Sequence, residues 1–328
     1  MVVNRDRPVR ILELMQIAVI GAGAAGLTAA YRLVQAGHRV VVYEAQPYVG
    51  GRTHSAQFAP GHYLDTGAGW LTSAYTRTLR LFEELGETGR LQPMKASAPS
   101  ELMIDGKSFI GAGLPRTPAG EHLIPGEERE RLRNWLHWLE GYPPLGFRTF
   151  NDNETASQHM MPVSPAAERF LFAPMFEGLF APLSEQSAEF LRSWIAASRA
   201  RYFQVRDGMD APWQRIAMHV DVRLNARVEM IRQGGSRLEV VANSVGSAVD
   251  GVVVAVPPPQ GAAFVTRAIE PRWVAQLNYE HVEYSGQCRL YLAMPGDAPG
   301  RIHRRPLPMG RIARSEERRV GKECRSRW

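Results

Sequence analysis

Cysteine, lysine and long apolar runs are scarce in this 328-residue chain, and each scarcity excludes something. The only cysteines, Cys288 and Cys324, are too few for a disulfide framework or a cysteine metal site, so no metal is expected. A low cysteine number suits a reducing compartment, and a cytoplasmic location is expected. The only lysines are Lys95, Lys107 and Lys322, so nearly all positive charge is arginine. No stretch of about 18 apolar residues occurs, which excludes a spanning helix. The first 14 residues, MVVNRDRPVRILEL, lack the apolar core of a signal peptide and read as an extension. The positive charge is gathered at one end: residues 301–328 hold ten Arg or Lys and three Glu, a net of +7 against a total of +6, leaving −1 for the rest. The high pI therefore belongs to the tail, and no nucleic-acid partner is expected. The whole chain is 45% hydrophobic and 22% charged, ordinary for a globular protein long enough for two domains.

Against these absences stands one dense motif. Residues 15–44 read MQIAVIGAGAAGLTAAYRLVQAGHRVVVYE. Gln16 to Ile20 is an apolar run of strand length. Gly21, Gly23 and Gly26 follow in G-x-G-x-x-G spacing. Leu27, Ala30, Tyr31 and Val34 recur at helical spacing, and Gly37 sits where that helix would stop. Arg39 to Tyr43 is a second strand closed by Glu44, 18 residues after Gly26. This strand–turn–helix–strand order is the context that a dinucleotide site requires. Gly21 allows the turn, Gly23 leaves room for a pyrophosphate, and Gly26 lets the helix pack against the strand. The helix N-terminus attracts the phosphates. Glu44 is placed to accept ribose hydroxyls, and it disfavours a 2′-phosphate. An ordinary glycine-rich turn is the plainer reading, but it leaves the strand, helix and acid unexplained.

Gly50, Gly51 and Arg52 follow in YEAQPYVGGRTHS, and a plain nicotinamide domain has no use for them. Two further glycines would bring a second backbone segment to the same pyrophosphate, with Arg52 as a forked donor. VVVYEAQPYVGGRTHS resembles the extended dinucleotide motif of FAD-dependent oxidoreductases of the flavin amine oxidase superfamily. That superfamily includes monoamine and polyamine oxidases, protoporphyrinogen oxidases and phytoene desaturases. YLDTGAGWLTS, residues 63–73, and DGVVVAVPPP, residues 250–259, resemble later blocks of the same family. The resemblance implies an α/β fold: a Rossmann-like FAD/NAD(P)-binding domain with a mostly parallel sheet, plus an inserted α+β substrate domain. It implies FAD as cofactor, held by Gly21, Gly23, Ala24, Ala25, Gly26, Glu44, Ala45, Gly50, Gly51, Arg52, Gly67, Ala68, Gly69, Trp70 and Val228. It also implies a small organic substrate and leaves room for peripheral membrane contact.

The expected organisation is an extension over 1–14, the cofactor domain over 15–75 and 206–260, and a mainly helical substrate domain over 76–205. An incomplete second part of the substrate domain covers 261–313. SELMIDGKSFIGAG reads as a hairpin around Asp105-Gly106, and a Gly234-Gly235 turn separates two later strands. In DGMDAPWQRIAMHV, Asp207 stands where the family usually has a glycine. Residues 314–328, RSEERRVGKECRSRW, have no apolar period and read as a tail foreign to the fold, either a solvated tail or a read-through segment. The family's second glycine-containing cofactor segment is not found after Pro259, so the chain is expected to be C-terminally truncated.

Catalytic residues are not legible, because a flavin carries the chemistry itself. His54 and Ser55 read as a local polar turn. Many amine oxidases of the family place a lysine on the strand that follows the prolines; VEYSGQCRLYLAMP, residues 282–295, has Gln287 or Cys288 there. That departure favours a protoporphyrinogen-oxidase-like or desaturase-like activity over amine oxidation. Trp135, Trp138, Phe170, Phe172, Phe176 and Phe180 could line an apolar pocket, though aromatics at helical spacing are more often core. Two alternatives stay open: an NAD-dependent dehydrogenase, and an inactive nucleotide-binding fragment.

Overall fold

The structure, a computed structural model, describes residues 14–59, 62–94, 101–104, 107–110, 123–143, 153–177, 180–262 and 284. The chain divides into two compact units. The first comprises residues 1–71, 76–92 and 203–283, and the second comprises 72–75, 93–202 and 284–328.

The first unit is built on a sheet whose four strands are all parallel, in the order β10-β2-β1-β14. Here β1 is Gln16–Ile20, β2 Arg39–Tyr43, β10 Asp221–Arg223 and β14 Gly251–Val254. Parallel strands are covered on both faces, and the alternation along β1 shows how. Val19 packs with Leu27 and Ala30 of helix α1 (Ala24–Gln35), with Leu81 of α2 (Thr76–Glu84) and with Trp213 and Ile216 of α6 (Ala211–Ala217). Ala18 and Ile20 point the other way, onto Val228, Ile231, Val240, Ala242 and Val249. Those residues belong to an antiparallel sheet of β11 (Val228–Gly234), β12 (Arg237–Ala242) and β13 (Val245–Val249). The layers are therefore helices, parallel sheet and antiparallel sheet.

The local signals behave as their chemistry requires, with small displacements. Helix α1 stops before Gly37, which takes φ +89° and donates its N–H to the Val34 carbonyl. Of the expected apolar face, Leu27 and Ala30 are buried, whereas Val34, in the last turn, is exposed. Gly86, at φ +71°, follows the end of α2 and donates its N–H to the Glu83 carbonyl. The sequence reading counted α2 with the helical middle of the chain; Leu81 in the core above places it in the first unit. Gly234 still pairs with Arg237, so the turn between β11 and β12 sits at Gly235 and Ser236. In the first unit β3 (Ser55–Ala59) and β4 (His62–Asp65) also form an antiparallel hairpin.

The second unit holds a helical core. Helices α3 (Gly126–Trp138), α4 (Ala156–Val163) and α5 (Ala188–Ala197) contribute Leu132, Trp135, Met160, Leu191 and Ile195 to one cluster. The mainly helical character expected of residues 76–205 holds here only in short pieces: Pro165–Ala167, Glu168–Phe172 and Ala173–Phe176 precede α5. Pro165, Pro174 and Pro182 lack the N–H a continuous helix needs, and Ser187 caps a fresh start by accepting from Phe190 N–H. Strands β7 (Glu101–Ile104) and β8 (Lys107–Ile110) pair antiparallel around residues 105–106, as the hairpin reading expects.

Candidate cofactor site

The site starts where β1 ends. Gly21 takes φ +100°, a conformation that a side chain rarely adopts, and turns the chain off the strand. Gly26 is buried against that turn: a Cβ there would stand 1.9 Å from the Gly21 carbonyl oxygen. Gly23 is different. Its backbone is extended, and an added Cβ would meet nothing closer than the Gly50 oxygen at 3.9 Å. The protein leaves space in front of Gly23 and none at Gly26, as expected for a turn whose middle glycine faces a ligand.

Helix α1 begins at Ala24 and Ala25 with no side-chain cap and no acid in its first turn. Its positive end is therefore not neutralised from within. Glu44, just after β2, points back across the turn. Its Oε2 accepts from Ala22 N–H at 2.7 Å, and its Oε1 accepts from Gln46 N–H at 2.8 Å. A carboxylate has about four acceptor positions, so two backbone bonds leave capacity for hydroxyls. Ala45, next in the chain, is exposed.

The second glycine pair lies against the first. Gly50 donates its N–H to the Ala22 carbonyl at 2.9 Å and forms a parallel bridge with Gly23. A Cβ on Gly51 would come within 3.2 Å of the Gly23 Cα. Both take positive φ, +104° and +53°. Arg52 follows at the exposed rim, and among the described residues its guanidinium has no hydrogen bond or ion pair. Its backbone is fixed: the Arg52 carbonyl accepts from Ala68 N–H at 2.9 Å, and a Cβ on Gly67 would stand 1.9 Å from the same oxygen.

The structure thus gathers Gly21, Gly23, Ala24, Ala25, Gly26, Glu44, Gly50, Gly51, Arg52, Gly67 and Ala68 around two facing turns. Gly69 and half-buried Trp70 continue the chain beyond them. Val228 starts β11 opposite Ala242 and turns its side chain into the core, away from any ligand. The chain just before it is anchored by Ala226 N–H on the Glu44 carbonyl and by Asn225 N–H on Gln46. An uncompensated helix dipole, open space at Gly23 and an arginine with no partner among the described residues make a cradle chemically suited to an anionic group.

Sequence reasoning missed what stands behind the second turn. His54 and Ser55 are a turn, but not a merely local one. Buried Asp210 accepts from Ser55 N–H at 3.1 Å and contacts His54 Nδ1 at 2.9 Å through one oxygen. Ser55 Oγ donates to Asp65 at 2.6 Å and accepts from Met209 N–H at 2.7 Å. A separation of 156 residues hides this contact from any local pattern. The acid in DGMD was the one available signal. Asp207, where the family usually has glycine, adopts φ +67° and pairs with Arg90, so it takes a glycine-like conformation.

Of the aromatics, Trp135, Phe172 and Phe176 are core, Phe180 packs against that core and Trp138 is exposed, which favours the packing reading for four of the six. Gln287, Cys288 and Cys324 lie outside the described residues. Among the described residues no group of side chains is suited to a metal, and no helix is long and apolar enough to cross a membrane.

Comparison with known proteins accords with this geometry. The family described as flavin containing amine oxidoreductase matches residues 24–318. A probable zeta-carotene desaturase of Synechococcus elongatus is 38% identical over 164 residues, 49% of this chain and 34% of that protein. A putrescine oxidase of Kocuria rosea is 40% identical over 114 residues, 34% of this chain and 23% of that protein. The chain therefore spans about a third or less of the curated relatives it matches. Among solved structures, cyclohexylamine oxidase from Brevibacterium oxydans superposes with TM-score 0.63 at 21% identity, over 80% of this chain and 62% of that one. A putrescine oxidase variant gives 0.62 at 22%, over 82% and 63%. These likenesses show the fold, and the family match sets aside the nicotinamide reading. With its two facing glycine turns on a parallel α/β sheet, this chain belongs to the flavin-containing amine oxidoreductase family.

Proposed function

We propose that the first unit binds FAD, with the pyrophosphate between the Gly21–Gly26 and Gly50–Arg52 turns and the adenosine ribose on Glu44. The observation that carries this reading is the contact between the turns: Gly23 and Gly50 bridge directly, beside an exposed arginine with no partner among the described residues. Ala24, Ala25, Ala45, Gly67, Ala68, Gly69, Trp70 and the Val228 backbone complete the proposed contacts.

When bound, the flavin would accept a hydride or its equivalent from a C–N or C–C bond of a small organic substrate, and pass electrons to oxygen or another acceptor. The chain's own residues hold the cofactor and exclude alternatives to it. The absence of a lysine from residues 282–295 supports a desaturase-like or protoporphyrinogen-oxidase-like reaction over amine oxidation. A carotene desaturase among the relatives supports the same preference. A cytoplasmic location, from the scarcity of cysteine, belongs to this proposal too.

The test is anaerobic mixing of the FAD-loaded chain with a carotenoid, a porphyrinogen and a diamine in turn. Bleaching of the flavin by either apolar substrate, and not by the diamine, is the expected result. Reduction by the diamine alone would overturn the substrate preference.

A further inference from the structure

We infer that Asp210 and His54 form a positioning pair that holds the Gly50–Gly51–Arg52 turn in the shape that receives the pyrophosphate. This rests on the FAD reading above and deepens it.

Asp210 is 1% exposed, and its Cβ stands against Gly50: a Cβ on Gly50 would be 2.9 Å away. One carboxylate oxygen gathers both His54 Nδ1 and Ser55 N–H, the two groups that follow the turn. A carboxylate only accepts, so the proton between them sits on His54 Nδ1. His54 N–H in turn donates to the Gly51 carbonyl at 3.1 Å, and Thr53 N–H donates to Gly50 at 3.0 Å. The far side of the imidazole is fixed as well. It stacks on Tyr48, with centroids 3.8 Å apart and planes 15° apart. The turn is thereby held from both ends, by Tyr48 before it and Asp210 behind it.

The other Asp210 oxygen, Oδ1, is buried with no partner among the described residues. An unsatisfied buried acceptor is costly and persists where the surroundings impose it. Neither residue touches the space in front of Gly23, so they act through the backbone that carries Arg52. Residues 54 and 210 both lie in the first unit, on segments separated by the whole of residues 93–202. The pair therefore also ties the returning chain to the cofactor turn.

Two substitutions of His54 separate the hydrogen bond from the stacking. His54→Phe keeps a ring over Tyr48 and loses the Nδ1 donor. His54→Asn loses the ring and keeps a donor near the Nδ1 position. FAD affinity is read from quenching of flavin fluorescence, and exchange of the Gly50 amide is read in the flavin-free protein. We expect H54F to weaken FAD binding about tenfold or more, the scale of one charge-assisted hydrogen bond, and to speed Gly50 exchange. H54N should stay within about threefold of the unsubstituted chain. Normal binding by H54F, or equal loss in both, would overturn the pair. If H54F does not fold, Asp210→Asn takes its place: at least a tenfold loss of FAD affinity with faster Gly50 exchange, against near-normal H54N, supports the pair, and normal binding by D210N overturns it. An unsubstituted chain that fails to bind FAD would instead remove the reading on which the pair rests.

Discussion

At the scale of single residues, the three glycines of the first turn have different jobs, and substitution should separate them. Gly23→Val places a branched side chain in open space on an extended backbone, so the fold should survive. The same side chain would occupy the pyrophosphate position, and FAD binding should be abolished. Gly26→Ala should do the reverse. Its Cβ would collide with the Gly21 carbonyl, and stability should fall by about 3 kcal/mol, the upper range for overpacking. Thermal melts alongside FAD titration check both. Glu44→Ala should weaken FAD by about 1–3 kcal/mol, the loss of a charge-assisted hydrogen bond. It should also lower the melting temperature, because Ala22 and Gln46 N–H lose their acceptor. Unchanged FAD affinity in that variant would contradict the ribose role.

The first turn was legible because its three glycines answer three local demands in a fixed spacing: positive φ at Gly21, open space at Gly23 and close packing at Gly26. The facing turn was legible for the same reason, and Arg52 by its chemistry. Asp210 was not legible, because its role depends on a fold that brings residues 54 and 210 together. Asp207 illustrates a second limit: a motif can lose its residue and keep its conformation, since aspartate tolerates positive φ and Arg90 holds it.

At the scale of elements, one carboxylate joins the start of β1 to the start of β12, the middle strand of the antiparallel sheet. Asp250 accepts from Gln16 N–H at 2.7 Å and from Arg237 Nε at 2.7 Å. The Gln16 bond, followed by the Arg237 guanidinium, holds its carboxyl below the ordinary value. A carboxyl lowered in the folded state adds stability above its ordinary value of about 3.9. That contribution disappears as pH falls through the lowered value. Melts from neutral pH down into the acid range should therefore show a loss near and below about pH 4 that Asp250→Asn reduces. An identical acid limb in the variant would contradict the assignment. In the helical unit, Phe176 is fully buried at the centre of its cluster. Phe176→Ala should cost about 3–5 kcal/mol in denaturant unfolding of that unit. The parallel strands could be read from β-branched runs, and the hairpin from Asp105-Gly106. The breaks between residues 164 and 187 were harder: a mainly helical domain was expected there, and prolines with a new serine cap divide it.

At the scale of the whole molecule, the cofactor half is assembled from segments on both sides of the helical unit. Glu44 and both glycine turns come from before it; Asp210, Ala226 and β14 come from after it. Cofactor binding should therefore report on the folding of the entire first unit and not of residues 15–73 alone. The α/β class and the family were readable from about thirty residues, since a phosphate cradle is a local device. The substrate was not, since the aromatics that could have lined a pocket include Trp135, Phe172 and Phe176, which pack a core. The most direct test of the account is the visible absorption spectrum of the purified chain after incubation with FAD and removal of the free cofactor. The account predicts retained flavin bands at close to one flavin per chain. A folded but colourless protein would contradict the claim that these two turns hold FAD.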